Sequence, residues 1–196
     1  MKHFRQKNGS IGHRIPYPFE RKTERLIIRS ANIAAAEQLH GAVEESIEIL
    51  GKWMSWADHV PGPDEIGKNC ADAEKAFRKG TDYRFHLFLK DREVFVGSCE
   101  LHRIDWSVPK CEIGFWVRKS QSGKGYITEA VQNIVRWAFD ELEMNRVEIR
   151  MSAKNRRSRR VPERLGFELE GILRNEDRHP DGTLRDTCVY ARIRES

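Results

Sequence analysis

The sequence lacks the features of a secreted, disulfide-bonded or membrane-spanning protein. Its four cysteines, Cys70, Cys99, Cys111 and Cys188, are scattered and form no CxxC pair, a pattern typical of reduced thiols in a cytosolic protein. The first ten residues, MKHFRQKNGS, contain no apolar signal core, and no hydrophobic run approaches the length that spans a bilayer. We therefore expect a cytoplasmic protein without a membrane partner.

Signs of a metal centre and of a nucleic-acid motif are also missing. The seven histidines show no ligand spacing, such as an i, i+4 pair with a third carboxylate, so we expect no metal. The net charge of +5 suits an anionic cofactor, an acidic partner or nucleic acid. Because 30 acidic residues are interspersed among 35 basic ones and no known nucleic-acid motif occurs, a nucleic-acid-binding module is the weaker interpretation.

The length and composition are those of one globular domain. The chain has 196 residues, of which 39% are hydrophobic and 33% are charged, enough to bury a full core without disulfides. Residues 1–18 are polar and contain Pro16 and Pro18. We expect them to form a loose N-terminal arm, followed by a single domain over residues 19–196.

One stretch, residues 112–142, combines a strand, a glycine loop and a helix. Glu112 to Arg118 is rich in β-branched and aromatic residues, as strands prefer. Ser120 to Gly125 is small and polar, and from Ile127 the apolar residues recur at the three- and four-residue steps of an amphipathic helix. A glycine loop at a helix N-terminus is an anion site. It is neither a Walker A loop nor GxGxxG, whose third glycine would replace Thr128.

The remaining pattern predicts helices among hairpin-linked strands. The predicted fold is α/β, with a mixed, mostly antiparallel sheet of about seven strands and helices on both faces. The predicted strands are Arg25–Arg29, Tyr83–Leu89, Val94–His102, Glu112–Arg118, Arg146–Ser152, Phe167–Leu173 and Leu184–Arg192. The predicted helices run from Asn32 to about Leu50, from Asp64 or Glu65 to near Gly80, from Ile127 to Leu142 and from Asn155 to Leu165.

Two motif blocks resemble a known family. The loop is similar to the acetyl-CoA loop of the GNAT N-acetyltransferases, Gln/Arg-x-x-Gly-x-Gly/Ala, with both glycines in place, Ser120 at the first position and Gln121 one place late. The segment NRRSRRVPERLGFELEGILR resembles the RimJ/RimL branch of this superfamily, as do MNRVEIR and TERLIIR. The branch signature is matched by Asn155, Ser158, Glu163, Arg164, Gly166, Phe167, Glu170 and Gly171. The resemblance spans about Phe19 to Ile193.

The resemblance implies direct transfer of acetyl from acetyl-CoA to a primary amine. The implied acceptor is a protein N-terminal α-amine, as in ribosomal proteins. The branch also holds enzymes for small amines such as polyamines, amino-acid derivatives or antibiotics, and a GNAT fold that binds CoA without catalysis is a further alternative. The protein would act as a monomer or homodimer.

The same resemblance supplies the expected cofactor residues. Backbone groups of Phe115, Trp116 and Val117 would pair with pantetheine, and the amides of Ser122 to Tyr126 would hold the pyrophosphate. Asn155 would cap a helix through one end of its amide and bond pantetheine through the other. One or two of the arginines at 156, 157, 159 and 160 would meet the 3′-phosphate, the rest forming a solvated face. The full expected set is Phe115, Trp116, Val117, Gln121, Ser122, Gly123, Lys124, Gly125, Tyr126, Thr128, Asn155 and Ser158.

The expected catalytic groups are a hydroxyl and a carboxylate. Ser158 would donate a hydrogen bond, or relay a proton, to the leaving thiolate. The base would be Asp177, which matches the family position but is one methylene shorter than the usual glutamate, or Glu176, with Glu112 and Glu100 as rivals; each is otherwise a surface salt-bridge partner. Around the acceptor we expect Glu112 and a cleft wall formed by Trp53, Trp56 and Trp106.

Overall fold

The computed structural model describes residues 15–179 and 181–195, which form an eight-stranded sheet with four α-helices. The strands are β1 (Glu20–Lys22), β2 (Leu26–Ser30), β3 (Tyr83–Leu89), β4 (Phe95–Asp105), β5 (Lys110–Val117), β6 (Arg146–Ser152), β7 (Glu168–Arg178) and β8 (Leu184–Ile193). The helices are α1 (Ala36–Leu50), α2 (Pro63–Lys79), α3 (Tyr126–Asp140) and α4 (Arg156–Arg164). A 3-10 turn over Ile33–Ala35 precedes α1, and Asn32 caps it through its side chain.

The sheet is mixed and mostly antiparallel, as predicted. Its strand order is β1-β2-β3-β4-β5-β6-β8-β7, in which β5 and β6 are parallel and the other neighbours are antiparallel. The unpredicted eighth strand, β1, has only three residues, which pair with β2. So short a strand has too little alternation of polarity to be detected in a sequence.

Helices cover both faces of the sheet, which also agrees with the prediction. On β2, Ile27 belongs to the core formed with α1 and α2, whereas its neighbours Leu26 and Ile28 belong to the larger core formed with α3. Successive strand residues point to opposite faces, so the two cores lie on opposite sides. In α3, Trp137 is buried among the aromatic rings of the larger core, 5.5 Å from Phe85.

The parallel strands β5 and β6 separate along their length. They pair only from Lys110 with Arg146 to Glu112 with Glu148. Beyond these residues, β5 stays paired with β4 as far as Val117, and β6 stays paired with β8 as far as Ser152. The carboxyl halves of β5 and β6 therefore diverge, and a gap opens in the middle of the sheet.

The segment before β1 packs against the domain where the structure describes it. Of the expected arm, residues 1–14 lie outside the described residues. The Tyr17 ring lies 5.7 Å from the Phe77 ring, and the Arg78 guanidinium lies 4.1 Å from the Tyr17 ring centre. Ile15 also contacts the larger core. Residues 15–18 thus contribute to packing at the end of α2.

Candidate active site

A cavity of about 300 Å³ adjoins the gap, next to the glycine loop; we call it the loop cavity. Its walls come from the carboxyl end of α1, the end of β5, the start of α3 and one side of α4. Of the expected cofactor residues, it is lined by Phe115, Trp116, Val117, Gln121, Ser122, Gly123, Gly125, Tyr126, Thr128, Asn155 and Ser158. Two sequence motifs about 30 residues apart are thereby brought to one site.

The glycine loop presents a run of unpaired amides. Gly123 and Gly125 have φ of +81° and +82°, which favours glycine at both positions. Among the described residues, the amides of residues 123–128 donate no hydrogen bond, because α3 begins there without a side-chain cap. The Ser122 amide instead donates to the Lys119 carbonyl oxygen at 3.2 Å. The free run therefore starts one residue later than expected and extends to Thr128.

Helix α1 holds the beginning of this loop. The Ser120 amide donates to Glu45 Oε1 at 2.6 Å, and the Lys119 amide donates to Ser46 Oγ at 2.9 Å. The Lys124 ammonium donates to Gln121 Oε1 at 3.0 Å, and Lys124 does not line the loop cavity. At Lys124, the loop therefore offers its backbone rather than its side chain.

Arg25 lies beside the loop and was missed by sequence reasoning. Its Nη1 donates to the Lys124 carbonyl oxygen at 3.0 Å, and its guanidinium lies 4.8 Å from the Tyr126 ring centre. The Glu129 carboxylate holds Arg25 in place by accepting hydrogen bonds from the Arg25 backbone amide at 2.9 Å and from Arg25 Nε at 2.6 Å. The motif TERLIIR was the available signal, but nothing in it indicates a neighbour on α3.

Three of the five arginines of α4 line the loop cavity. Arg157 and Arg160 line the loop cavity, together with Arg164 from the last turn. Arg159 points elsewhere, donating to Tyr190 Oη at 3.0 Å and to the Ala153 carbonyl oxygen at 3.3 Å. The cavity thus has a cationic wall opposite the unpaired amides, a setting suited to phosphate groups.

Asn155 and Ser158 line the loop cavity and also a second, neighbouring cavity, which is described below. Asn155 is only 8% exposed, and its Oδ1 accepts from the Ser158 amide at 3.2 Å, so it caps α4 as expected. Its side-chain nitrogen makes no hydrogen bond within residues 15–179 and 181–195. The Asn155 amide group can therefore donate to a bound molecule while its oxygen holds the helix.

A second cavity, of about 410 Å³, is lined by three carboxylates and by three arginines, Arg103, Arg150 and Arg185. Glu112, Glu176 and Asp177 line it, so three of the four carboxylates considered as bases meet here. We call it the acidic cavity. The fourth, Glu100, lines a different cavity and pairs with Arg84, whose Nε lies 3.1 Å from Oε1.

Both Glu176 and Asp177 reach the acidic cavity because β7 is irregular. The predicted strand ended at Leu173, whereas β7 continues to Arg178. Its register shifts between Leu173 and Asp177, and Asn175 has φ of +51°. Such a bulge breaks the alternation of side chains between the two faces. Glu176 and Asp177 therefore line one cavity, although neighbours on a regular strand would point to opposite faces.

Asp177 is the most strongly held of the three carboxylates. Its Oδ2 accepts from Arg185 Nε at 2.9 Å, and its Oδ1 accepts from the Arg178 amide at 2.8 Å. Burial acts to raise the pKa of Asp177, but these bonds outweigh it and lower the pKa below the ordinary value. Asp177 is therefore ionised near neutral pH and a weak proton acceptor.

Glu176 and Glu112 have looser contacts. Glu176 Oε1 lies 3.5 Å from Arg150 Nη2. The Glu112 side chain is 13% exposed, 3.3 Å from Arg103 Nη1 and 3.7 Å from His102 Nε2. Arg103, Arg150 and Arg185 were not anticipated, and they neutralise part of the acidic charge.

The three tryptophans expected at the cleft do not line the same cavity. Trp53 lines both the loop cavity and the acidic cavity, and its ring lies 6.2 Å from the His179 ring. Trp56 lines a third cavity, where it contacts the Trp116 ring. Trp106 lines neither of these cavities nor the third one, and its Nε1 donates to the Gly80 carbonyl oxygen at 3.3 Å.

The third cavity, of about 420 Å³, lies between α1, α2 and strands β3 to β5; we call it the helix-side cavity. Met54 and Phe115 line all three cavities. The end of the gap in the sheet is therefore a junction of three spaces. Met54 belongs to the loop between α1 and α2, and nothing in its sequence context marked it.

Comparison with known proteins decides the family. Residues 25–168 match a sequence profile described as an acetyltransferase (GNAT) domain. The chain belongs to the GNAT acetyltransferase family. This confirms the family and the fold inferred from the two motif blocks, and it makes the protein an N-acetyltransferase.

Individual relatives agree with the ribosomal-protein branch of the family. The chain is 33% identical over 172 residues to YdaF of Bacillus subtilis, provisionally named a ribosomal N-acetyltransferase, covering 87% of this chain and 92% of YdaF. It is 26% identical to the ribosomal-protein-serine acetyltransferase of Escherichia coli, covering 84% and 96%. The fold is also that of RimL, a ribosomal L7/L12 α-N-protein acetyltransferase solved in complex with coenzyme A. The TM-score is 0.82 at 22% identity, covering 87% of this chain and 95% of RimL.

The described residues offer neither a metal-binding cluster nor a helix that could span a membrane. Within the described part of the chain, no group of three or more His, Cys, Asp or Glu side chains is arranged to hold a metal ion. Among the same residues, every helix is too short or too polar to cross a bilayer.

Proposed function

We propose that this GNAT protein transfers acetyl from acetyl-CoA directly to a primary amine, the N-terminal α-amine of a protein of the ribosomal type. The observation that carries the proposal is the separation of β5 from β6 after Glu112 and Glu148. The resulting gap joins a cavity with anion-binding groups to a cavity lined by carboxylates. A thioester entering from one side and an amine from the other would meet there.

The residues of the loop cavity fit acetyl-CoA. The unpaired amides of residues 123–128 and the guanidinium groups of Arg157, Arg160 and Arg164 suit its phosphates, as does the Arg25 guanidinium beside the loop. The edge of β5 beyond Glu112 has no strand partner on the β6 side, so its backbone can pair with an extended arm. Coenzyme A bound to RimL, a protein of the same fold, supports this assignment. When bound, acetyl-CoA supplies the activated acetyl group.

Asn155 and Ser158 are placed to act on the reacting end. Both line the loop cavity and the acidic cavity, so they lie between cofactor and acceptor. Asn155 would donate its free amide hydrogens to the pantetheine arm. The Ser158 hydroxyl would donate a hydrogen bond to the sulfur, where negative charge develops as the thiolate leaves.

The three carboxylates of the acidic cavity would attract and deprotonate the ammonium group. The resemblance favoured Asp177 as the base, with Glu176 as the alternative. Its two oxygens are engaged by Arg185 and Arg178, whereas Glu176 has one long contact, to Arg150. We assign proton removal to Glu176, directly or through water, and electrostatic positioning of the amine to Asp177 and Glu112.

A small cationic amine is the second candidate acceptor. The clustering of Glu112, Glu176 and Asp177 in one cavity favours it, because such a cluster attracts polyamines as well as N-termini. The protein N-terminus is preferred because relatives at 33% and 26% identity carry ribosomal-protein names. Nucleic-acid binding is the weakest alternative, since Arg157, Arg160 and Arg164 face a cavity.

An acetylation screen with labelled acetyl-CoA tests the proposal. Acceptors would be ribosomal proteins, short peptides with free N-termini, the same peptides with blocked N-termini, and polyamines. We expect label on free N-termini and none on blocked peptides. Preferential labelling of polyamines would favour the small-amine alternative. RNA affinity that exceeds acetyl-CoA affinity and falls steeply with salt would favour nucleic-acid binding.

A further inference from the structure

The helix-side cavity is not explained by transfer of an acetyl group to an amine. Its volume is about 420 Å³, in the range of cavities that hold small organic groups. Its apolar wall is rich in aromatic rings and includes Leu39, Val43, Trp56, Ile66, Phe115 and Trp116. Flat rings favour contact with another ring, which stacks or packs edge-on against them.

His86 supplies an unused polar group in this cavity. The residue lines the cavity and is only 2% exposed, and its Nδ1 is buried without a hydrogen-bond partner among the described residues. Burial lowers the pKa of His86 to about 3, so the ring is neutral at physiological pH. A neutral imidazole can both donate and accept a hydrogen bond. Buried polar groups nearly always have partners, so this ring calls for one.

The charged side chains of the cavity are already engaged with partners. Arg84 pairs with Glu100, and its Nη1 donates to Asn69 Oδ1 at 2.6 Å. Glu65 Oε2 lies 3.1 Å from Nε2 of His59, a ring that it shares with Asp58, and His102 Nε2 lies 3.7 Å from Glu112 Oε1. Burial raises the pKa of the Cys99 thiol, which stays protonated. Because Arg84 and Glu100 compensate each other, a neutral polar group fits beside His86 better than a charged one.

The helix-side cavity is continuous with the reaction centre. Met54, Gly114 and Phe115 line it and also line the acidic cavity, where the amine is proposed to bind. A group in the helix-side cavity can therefore be attached to the amine through a short chain of bonds.

We propose that the helix-side cavity binds an aromatic group with a neutral hydrogen-bonding end, carried by the acetyl acceptor within a few bonds of its reactive amine, and that His86 recognises this end. The inference rests on the proposed function, in that the amine occupies the acidic cavity. It adds a selectivity that the acidic cavity alone does not provide.

Matched acceptors that differ by one hydroxyl test the proposal. We would measure kcat/KM in the presence of acetyl-CoA for two matched pairs of acceptors. The first pair is tyramine and phenethylamine, and the second is the dipeptide amides of Tyr-Ala and Phe-Ala. We expect a preference of at least tenfold for the phenolic member of each pair. A site built to bond a hydroxyl discriminates strongly against an analogue that lacks it.

Variants of His86 show whether this ring is responsible. His86→Leu should reduce the preference to near one, and His86→Gln, which restores a hydrogen-bonding group, should recover part of it. His40→Leu is the matched control, since His40 lies on α1 and lines none of the loop, acidic and helix-side cavities; it should keep the preference. Circular dichroism and thermal unfolding would verify that each variant is folded.

Two results would overturn the proposal: equal kcat/KM for the members of both pairs in the wild-type protein, or an unchanged preference in folded His86→Leu. If no amine is acetylated at all, the proposed function fails separately. Calorimetric binding of tyramine and phenethylamine to the CoA-bound protein then decides. Tighter binding of tyramine that is lost in His86→Leu supports the proposal, and equal binding or no binding refutes it.

Discussion

Arg25 and Glu129, 104 positions apart in the chain, form a hydrogen-bonded ion pair beside the glycine loop, with Nε to Oε2 at 2.6 Å. Thr23 Oγ1 donates to the same carboxylate at 2.6 Å. The turn before β2 is thereby tied to the first turn of α3. The pair places a guanidinium next to the unpaired amides, and it links the stability of the loop to its affinity for anions.

Arg25→Ala should lower the affinity for acetyl-CoA by about threefold to tenfold, because it removes one charged hydrogen-bond donor near the phosphates, worth roughly 1 kcal/mol. Isothermal titration calorimetry measures this. Arg29→Ala is the control, since Arg29 pairs with Glu20 and Glu93 and lines none of the loop, acidic and helix-side cavities. An equal loss in both variants would contradict a specific role for Arg25.

The contribution of Glu129 to stability should depend on pH. Burial acts to raise the pKa of Glu129, but the bonds from Thr23 and Arg25 outweigh it and lower the pKa. Because the folded pKa is depressed, the stabilisation is complete above the unfolded pKa of about 4.3 and is lost as pH falls through the folded value. The difference in unfolding free energy between wild type and Glu129→Gln should therefore be constant above about pH 5 and shrink below it. Urea titrations would show this, and a difference that grows on acidification would contradict it.

Gly123→Val should weaken acetyl-CoA binding at least tenfold, about 1.4 kcal/mol. A side chain is strained at φ of +81°, and the space that its Cβ would enter is open, where a phosphate would approach the amides. Gly182→Val is the matched control, because Gly182 also has positive φ and open space but lies in the turn between β7 and β8. Unchanged affinity in a folded Gly123→Val protein would show that the loop is not the pyrophosphate site.

Ser158→Ala should slow turnover tenfold or more, about 1.4 kcal/mol, with little change in acetyl-CoA affinity. The hydroxyl is proposed to act when charge develops on sulfur, and the Ser158 amide that bonds Asn155 Oδ1 is retained in the variant. Single-turnover rates and calorimetry separate the two quantities. Loss of binding in proportion to the loss of rate would assign Ser158 a positioning role instead.

Glu176→Gln should reduce kcat most near neutral pH and recover partly at higher pH, where more of the amine is already deprotonated. Asp177→Asn should mainly raise the acceptor KM, because Asp177 is held ionised by Arg185. Profiles of kcat and of acceptor KM against pH for the two variants test both predictions. If Asp177→Asn shows the recovery at high pH and Glu176→Gln does not, Asp177 is the base. If neither variant matters, Glu112 becomes the first candidate.

The local parts of the site follow from the sequence alone. Glycines before an amphipathic stripe specify a loop at a helix N-terminus, and Asn155 followed by Ser158 specifies a capped helix, because both depend on residues a few positions apart. The strands Tyr83–Leu89 and Arg146–Ser152 were predicted with their observed bounds for the same reason.

Tertiary structure decided which of these parts meet. Where β5 and β6 separate depends on pairing between strands distant in the chain, and no local pattern encodes the residue at which pairing stops. The joint exposure of Glu176 and Asp177 depends on a register shift against β8, which period-two alternation cannot anticipate. Arg25 beside Lys124, and Met54 with Phe115 at the junction of three cavities, are likewise products of packing. The sequence determined the chemical groups and their local geometry, whereas long-range strand pairing determined their convergence.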